Sequence, residues 1–473
     1  MPISRASALA LLVAACGSTH APQPRGPVPP GPAGRSAIVW DYEVTVDAAL
    51  DLDVRATFTG PMAGTLRVDE AAAKFLERVE LQVGAGWRSV GLAEHAWRDA
   101  CSGSCTFRYH FRLGAAAKNV ADADVAIASD GAIFSPPSTW LMRPSEGSQG
   151  RYRFHVAPAA DVRFATGIRP AGAALTFEAP TSSFEEAAFA AFGALRTGHL
   201  ADPAIDYALA PRLALTDEVA VDWLRTEVSA ITTYFGHAPD GHAMLFVGTN
   251  TSADTGGKTL GGGGASLFVR IGTKVSAANL RDDWVVAHEL VHVAFPDLDR
   301  RYTWFSEGLA TYVEPIARAR AGLIAPEKVW VEMIEGLPQG LAGARDGGLD
   351  GASDWGRVYW GGALYFLLAD VRIRERTRGA HGLEDALRAI VAKDGNVEAM
   401  WPLARVLEIG DGATGTTVMR ELHDELGRAN GAVDLDALFR RLGVRADHGV
   451  ATFDDRAPLA AVRDAILPRR VMK

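Results

Sequence analysis

The sequence predicts a multidomain α+β protein: an N-terminal β-sandwich, a mixed α and β domain, and a helical C-terminal part. Three observations carry this. The chain has 473 residues, room for roughly three domains at about 150 residues each. Period-2 alternation dominates residues 36–182, and helical periodicity dominates from Ser276 onward. Hydrophobic residues make up 48% and charged residues 22%, a composition that buries a core and excludes a wholly disordered chain.

At the N-terminus, Arg5 precedes an apolar stretch, Ala6 to Ala15, that ends in Val13-Ala14-Ala15-Cys16. The stretch is shorter than the ~20 residues a membrane-spanning helix needs, so residues 1–15 read as a secretion signal. Small residues before a cysteine resemble a bacterial lipoprotein signal. That resemblance implies cleavage before Cys16 and a lipid on its sulfur; an ordinary signal peptide containing a cysteine is the alternative. Gly17 rather than Asp follows Cys16, so the resemblance does not imply retention at the inner membrane. The expected location is the bacterial cell envelope, lipid-anchored at the outer membrane and facing the periplasm or the cell surface. Residues 16–35 hold Pro22, Pro24, Pro27, Pro29, Pro30 and Pro32 and form an extended tether.

Two other cysteines remain, Cys101 and Cys105. In an exported protein they are expected to form a small-loop disulfide. A two-cysteine metal site is the alternative, with no further His or Cys close by. Net charge is -9, from 48 Lys and Arg against 57 Asp and Glu. No basic block stands out, so duplex nucleic acid is not expected as a partner.

The sandwich, residues 36–182, rests on Ala37 to Asp47, Leu50 to Phe58, Cys105 to Leu113, Arg151 to Val156 and Ala174 to Phe177, with Gly, Pro and Asp between them. The second domain, residues 183–378, opens with a helix that Thr216 caps, that begins with Asp217 and Glu218, and that ends near Phe235 and Gly236. Met244 to Gly248 and Ser266 to Ile271 read as strands joined by a glycine-rich loop. In the C-terminal region, residues 379–473, helices are expected over Glu384 to Ala392, Thr416 to Ala429 and Leu435 to Leu442.

The strongest chemical signal is His288-Glu289-Leu290-Val291-His292. Residues i and i+4 project from one helix face, so both imidazoles reach one ion, and neutral imidazole suits zinc. Trp284, Val291 and Phe295 share that face. Glu289 is offset by one residue, where it takes a proton from water beside the metal. The alternative is a helix with merely packed histidines. Catalytic zinc takes a third protein ligand and leaves one position open. Glu307, in Trp304-Phe305-Ser306-Glu307-Gly308-Leu309-Ala310-Thr311-Tyr312-Val313-Glu314, is the candidate. Fourteen residues lie between His292 and Glu307, enough for a turn at Pro296, Asp297 and Asp299 and an antiparallel helix capped by Ser306. Glu307 alternatively serves only the helix dipole.

These residues resemble the gluzincin metallopeptidases, in which His-Glu-x-x-His is followed by a Glu on a second helix. The Trp-Phe-Ser-Glu-Gly tract is similar to that of the aminopeptidase N and glycyl aminopeptidase families. Tyr359-Trp360-Gly361-Gly362-Ala363-Leu364, running on to Ile373-Arg374-Glu375-Arg376-Thr377, resembles the glycyl aminopeptidases more closely. The resemblance spans the glycine loop to about Arg388 and implies a thermolysin-like catalytic domain. It implies one Zn2+ held by His288, His292 and Glu307, Glu289 as general base, and Tyr359 as the phenol that donates to the developing oxyanion. Tyr359 read alone is equally a buried helix aromatic. Metal-bound histidines usually donate their other nitrogen to a carboxylate or carbonyl, and Glu314 is the candidate; its alternative is a solvated helix carboxylate.

Three departures matter. The turn before Glu307 is shorter than in glycyl aminopeptidases and lacks their Trp-Asn-x-Lys-Arg. Gly361 stands where that family has lysine. No acidic residue lies between Gly256 and Ser266, where these families place a Glu for the substrate amine. Endopeptidase action is therefore favoured over aminopeptidase action. Gly263, Gly264 and Ala265, with the strand after them, are candidates to hydrogen-bond an extended peptide; a flexible connection is the alternative. The family's usual C-terminal PDZ module is not apparent. The expected function is zinc-dependent peptide-bond hydrolysis on a peptide or protein substrate, with the membrane contacted through the lipid on Cys16. The alternatives are a binding or assembly lipoprotein on an inactive peptidase scaffold, and hydrolysis of a non-peptide bond such as an ester or epoxide.

Overall fold

The computed structural model describes residues 37–60, 63–91, 103–146, 149–200, 205–238, 243–251, 255–341, 343 and 347–469. The expected signal segment, Cys16, the tether and Cys101 lie outside these residues. Cys105, the second residue of the strand Ser104–Phe111, is buried and is disulfide-bonded. No described helix is long and apolar enough to cross a membrane.

The chain divides into two units that interleave in sequence. One runs up to Ala214 and adds His242–Thr273; the other takes Leu215–Gly241 and Lys274–Lys473.

The first unit is built of sheets. In Ile38–Val46, Trp40, Tyr42, Val44 and Val46 are buried while Glu43 and Thr45 are exposed. That alternation is what a one-faced strand requires. The strand pairs antiparallel with Leu52–Thr59 and parallel with Arg151–Pro158, with Tyr42 opposite Phe154. Four further strands widen these three into a seven-stranded sheet, ordered Thr176–Pro180, Arg151–Pro158, Ile38–Val46, Leu52–Thr59, Ser104–Phe111, Leu76–Val83, Gly86–Ser89. A four-stranded sheet contributes to the same core: Phe164 and Phe192 meet at 5.0 Å, and Phe154 of the larger sheet stands 6.2 Å from Phe164. The boundary expected at residues 182–183 falls inside this unit, because Ala190–Gly193 pairs with both Arg163–Thr166 and Ala132–Ser135.

A five-stranded sheet completes the unit, ordered Arg196–His199, Ile205–Leu209, Ala243–Asn250, Ala265–Gly272, Gly256–Leu260. Its central pairs are parallel. Ala243 to Val247 are all buried, the continuous apolar run that a strand covered on both faces shows.

The second unit is mainly helical. Asp217–Phe235 forms as expected: the Thr216 hydroxyl accepts from Val219 N, and Gly236 closes the helix at φ 84°. Leu435–Leu442 also forms, capped by Asp434. The predicted helix over Thr416 to Ala429 is shorter, Val418–Leu422 running into a π-helical turn at His423–Arg428. The C-terminal region also contains a hairpin that its expected helical reading missed, Val444–Asp447 against Val450–Phe453. Its two turn residues, His448 and Gly449, both have positive φ, as a tight hairpin turn demands. Strands of four residues alternate too briefly to stand out from the flanking helices. The boundary expected at residues 378–379 is crossed by the Arg374–Glu384 ion pair.

Candidate metal centre

The histidine helix is Val285–Ala294, entered at Trp284, with Val285 N donating to Asp283 Oδ1. Nine of its ten residues are buried, His288 and Glu289 among them. Residues 288 and 292 lie one turn apart, and their rings meet edge to face at 5.1 Å. The connection that follows is held in two ways. Asp297–Leu298 pairs with Met400–Trp401, and the Asp299 carboxylate accepts from Arg301 N.

The next helix, Thr303–Ala321, starts four residues earlier than the sequence suggested. Ser306 is therefore inside the helix rather than its cap, and Glu307 lies a full turn in. What fixes Glu307 is its contact with the histidines. Its Oε2 stands 3.2 Å from His288 Nε2 and 3.5 Å from His292 Nε2. The three ligand atoms lie within 4.8 Å of one another.

The donor set fits zinc. Two ligand atoms each about 2.1 Å from one tetrahedral ion stand roughly 3.4 Å apart, which matches both carboxylate–imidazole separations. Electrostatics give the same picture. Burial lowers the pKa of His288, leaving a neutral imidazole. Burial also opposes charge on His292, but the Glu307 carboxylate outweighs it and raises that imidazole to about 9. Burial alone would raise Glu307; the two imidazoles instead hold it well below the usual carboxylate range.

Tyr359 lies on a π-helical turn, Gly356–Gly361, that runs into the helix Gly362–Thr377. Its ring is 6.2 Å from that of His288 and within 18° of parallel. Trp355, which sequence reasoning did not single out, stacks on Tyr359 at 5.8 Å. Trp284 meets His288 edge-on at 5.3 Å. Single-turn π-helical insertions often mark functional positions, but no residue pattern announces one.

Thr311 donates its hydroxyl to the Glu307 carbonyl at 2.8 Å. Glu314, the candidate partner for a metal histidine, is completely buried and accepts from Arg318 Nη1 at 3.0 Å. Arg318 Nε also stands 3.1 Å from Glu227 Oε2, and its Nη2 donates to the Arg281 carbonyl. Glu314 thus belongs to a buried charge cluster, not to a solvated helix face.

Gly263, Gly264 and Ala265 lie in the sheet-built unit. The glycines have φ of 81° and 152°. A methyl group at 263 would stand 2.3 Å from Ala179 Cβ, and one at 264 would stand 1.9 Å from the Gly167 carbonyl oxygen. Gly263 O accepts from Arg169 N. Close packing and left-handed backbone account for these glycines, and the flexible connection considered for them is not what forms. Ala265 opens the strand Ala265–Gly272.

This architecture, a sheet-rich unit and a helical unit bearing two histidines and a glutamate, has the fold of an aminopeptidase N family protein. The similar protein from Idiomarina loihiensis aligns with TM-score 0.64 and 14% identity, over 86% of this chain and 78% of that one. An M1 zinc metallopeptidase from Deinococcus radiodurans aligns with TM-score 0.48 and 16% identity, over 85% of this chain and 96% of that one. No family model matches the chain, and no curated protein matches it in sequence.

Proposed function

We propose that this chain is a zinc-dependent peptidase with a thermolysin-like catalytic domain, held in the bacterial envelope by a lipid on Cys16. The observation that carries the reading is the meeting of His288, His292 and Glu307 at separations that suit one zinc ion, with Glu289 buried beside them. Zinc bound there supplies a Lewis acid for the substrate carbonyl and lowers the pKa of water.

The chain's own groups do the rest. Glu289 accepts the proton of the attacking water and returns it to the leaving amine. Tyr359 donates its phenolic O–H to the carbonyl oxygen as negative charge develops there. His288 stacks on Tyr359, and the buried Glu314–Arg318–Glu227 cluster ties the helix that carries Glu307 to the helix Asp217–Phe235. Internal peptide bonds are the favoured substrates, since the segment Gly256 to Ser266 offers no carboxylate for a free amine.

The test is a digest of a mixed peptide library by the zinc-loaded protein, half the peptides N-acetylated, with Glu289→Gln as control. Internal cuts that ignore acetylation support the endopeptidase reading. Cuts confined to free N-termini would make it an aminopeptidase. The absence of any Glu289-dependent cut would favour a binding or assembly lipoprotein on a peptidase scaffold.

A further inference from the structure

We propose that Trp355 is a positioning residue for Tyr359, and that the phenol reaches the reacting carbonyl only while the indole stacks against it. The proposal rests on the peptidase reading above. Tyr359 lies nearly parallel to two rings: His288, at 6.2 Å and 18°, and Trp355, at 5.8 Å and 25°. The two come from different places. His288 is anchored in its own buried helix, while Trp355 stands immediately before the π-helical turn that carries Tyr359.

The backbone of that turn is pinned independently. A methyl group on Gly356 would stand 2.5 Å from the Gln339 carbonyl oxygen, and one on Gly361 would stand 3.1 Å from the Gly340 carbonyl oxygen. Arg357 N donates to Asp354 Oδ1, and Arg357 Nη2 donates to the Gly347 carbonyl. With the backbone held, the freedom left to Tyr359 is rotation between side-chain rotamers, which moves a ring by steps of about 120°. His288 restricts that rotation, and Trp355 supplies a second aromatic wall.

The indole N–H of Trp355 is buried without an acceptor. A buried donor left unpaired is unfavourable, so no hydrogen bond explains a tryptophan here. What the residue contributes is its flat face. Phenylalanine offers such a face without the orphan donor.

A double-mutant cycle tests this. W355A is expected to lower kcat roughly tenfold with KM within about twofold, the signature of a misplaced catalytic group. W355F is expected to recover most of that loss. In a Y359F background, W355A is expected to add little, because the group it acts through is gone. A raised KM with unchanged kcat, or losses that multiply in the double mutant, would overturn the proposal and make Trp355 a substrate contact. A second cycle needs no turnover. In the metal-free protein, the melting-temperature losses of W355A and Y359A should be clearly less than additive if the rings hold one another. Strict additivity would also overturn the proposal. If the wild type shows no Glu289-dependent turnover, the peptidase reading fails, and the stability cycle alone decides whether the stack positions Tyr359.

Discussion

Gly308 and Gly362 meet backbone to backbone: a methyl group on Gly308 would stand 2.3 Å from the Cα of Gly362. Gly308 follows the candidate ligand Glu307, and Gly362 opens the helix that continues from Tyr359. This contact sets how closely the Glu307 helix approaches the turn that carries the phenol. On the other side, a methyl group on Gly362 would stand 2.1 Å from the Trp304 carbonyl oxygen.

Gly308→Ala is therefore expected to force the helices apart and to destabilise the protein by about 1–3 kcal/mol, the usual cost of overpacking a core. Gly412→Ala is the control. Gly412 lies in the helix Leu403–Thr414, with no atom near the added methyl. It is expected to be neutral or stabilising by up to ~1 kcal/mol, from helix propensity. Denaturant melts of both variants check this, and equal losses would contradict it.

Zinc affinity should depend on pH through His292. Binding takes a neutral imidazole, while the metal-free His292 keeps its proton up to about 9 because Glu307 faces it. Burial already keeps His288 neutral. Lowering the pH below about 9 protonates His292 and weakens binding, by roughly tenfold per pH unit for one displaced proton. Zinc titrations against a chelator between pH 6.5 and 8.5 should give a slope near one, and a flat profile would refute the assignment.

Stability should carry the mark of Glu227. Burial outweighs the attraction of Arg318 and raises this carboxyl from 4.5 to about 7. The folded state therefore holds a proton that the unfolded state releases near 4.5. Its stabilising contribution is complete below that pH and is lost as pH rises through 7. The loss is at most ~3 kcal/mol, from 1.36 kcal/mol per unit of pKa difference. Glu227→Gln should flatten the stability profile between pH 4.5 and 7, as measured by urea midpoints.

Two substitutions separate the chemical roles at the centre. Glu289→Gln should abolish turnover while leaving zinc affinity within a few-fold, because Glu289 is not a ligand. Tyr359→Phe should lower kcat by about 10²–10³, the range seen when one oxyanion donor is removed. Metal content measured on both variants distinguishes loss of chemistry from loss of zinc.

Much of this was legible in the chain. The Thr216-capped helix and the strands around Tyr42 and Val54 follow local rules that act over a few residues. His288 and His292 needed only the helix period to be placed together. The Ser306 cap was misplaced because an N-cap signal within a helix looks the same as one at its start. The hairpin after Gly443 escaped because four residues carry little periodicity. Trp355 stands four residues before Tyr359, a spacing that pairs them only once the segment is known to be helical; the Gly308–Gly362 contact left no pattern, since it depends on a neighbour distant in sequence.

The sequence by itself determined the candidate ligand types, the spacing of the two histidines on one helix, and the segments able to form strands or helices, because these depend on short-range geometry and burial patterns. Only the tertiary structure decided that Glu307 closes on both imidazoles, that Glu314 joins Arg318 and Glu227, and that the glycine loop is packed. Those outcomes turn on how closely separate segments approach, and the approach is set by packing, by glycines where backbones touch, and by which buried charges find one another.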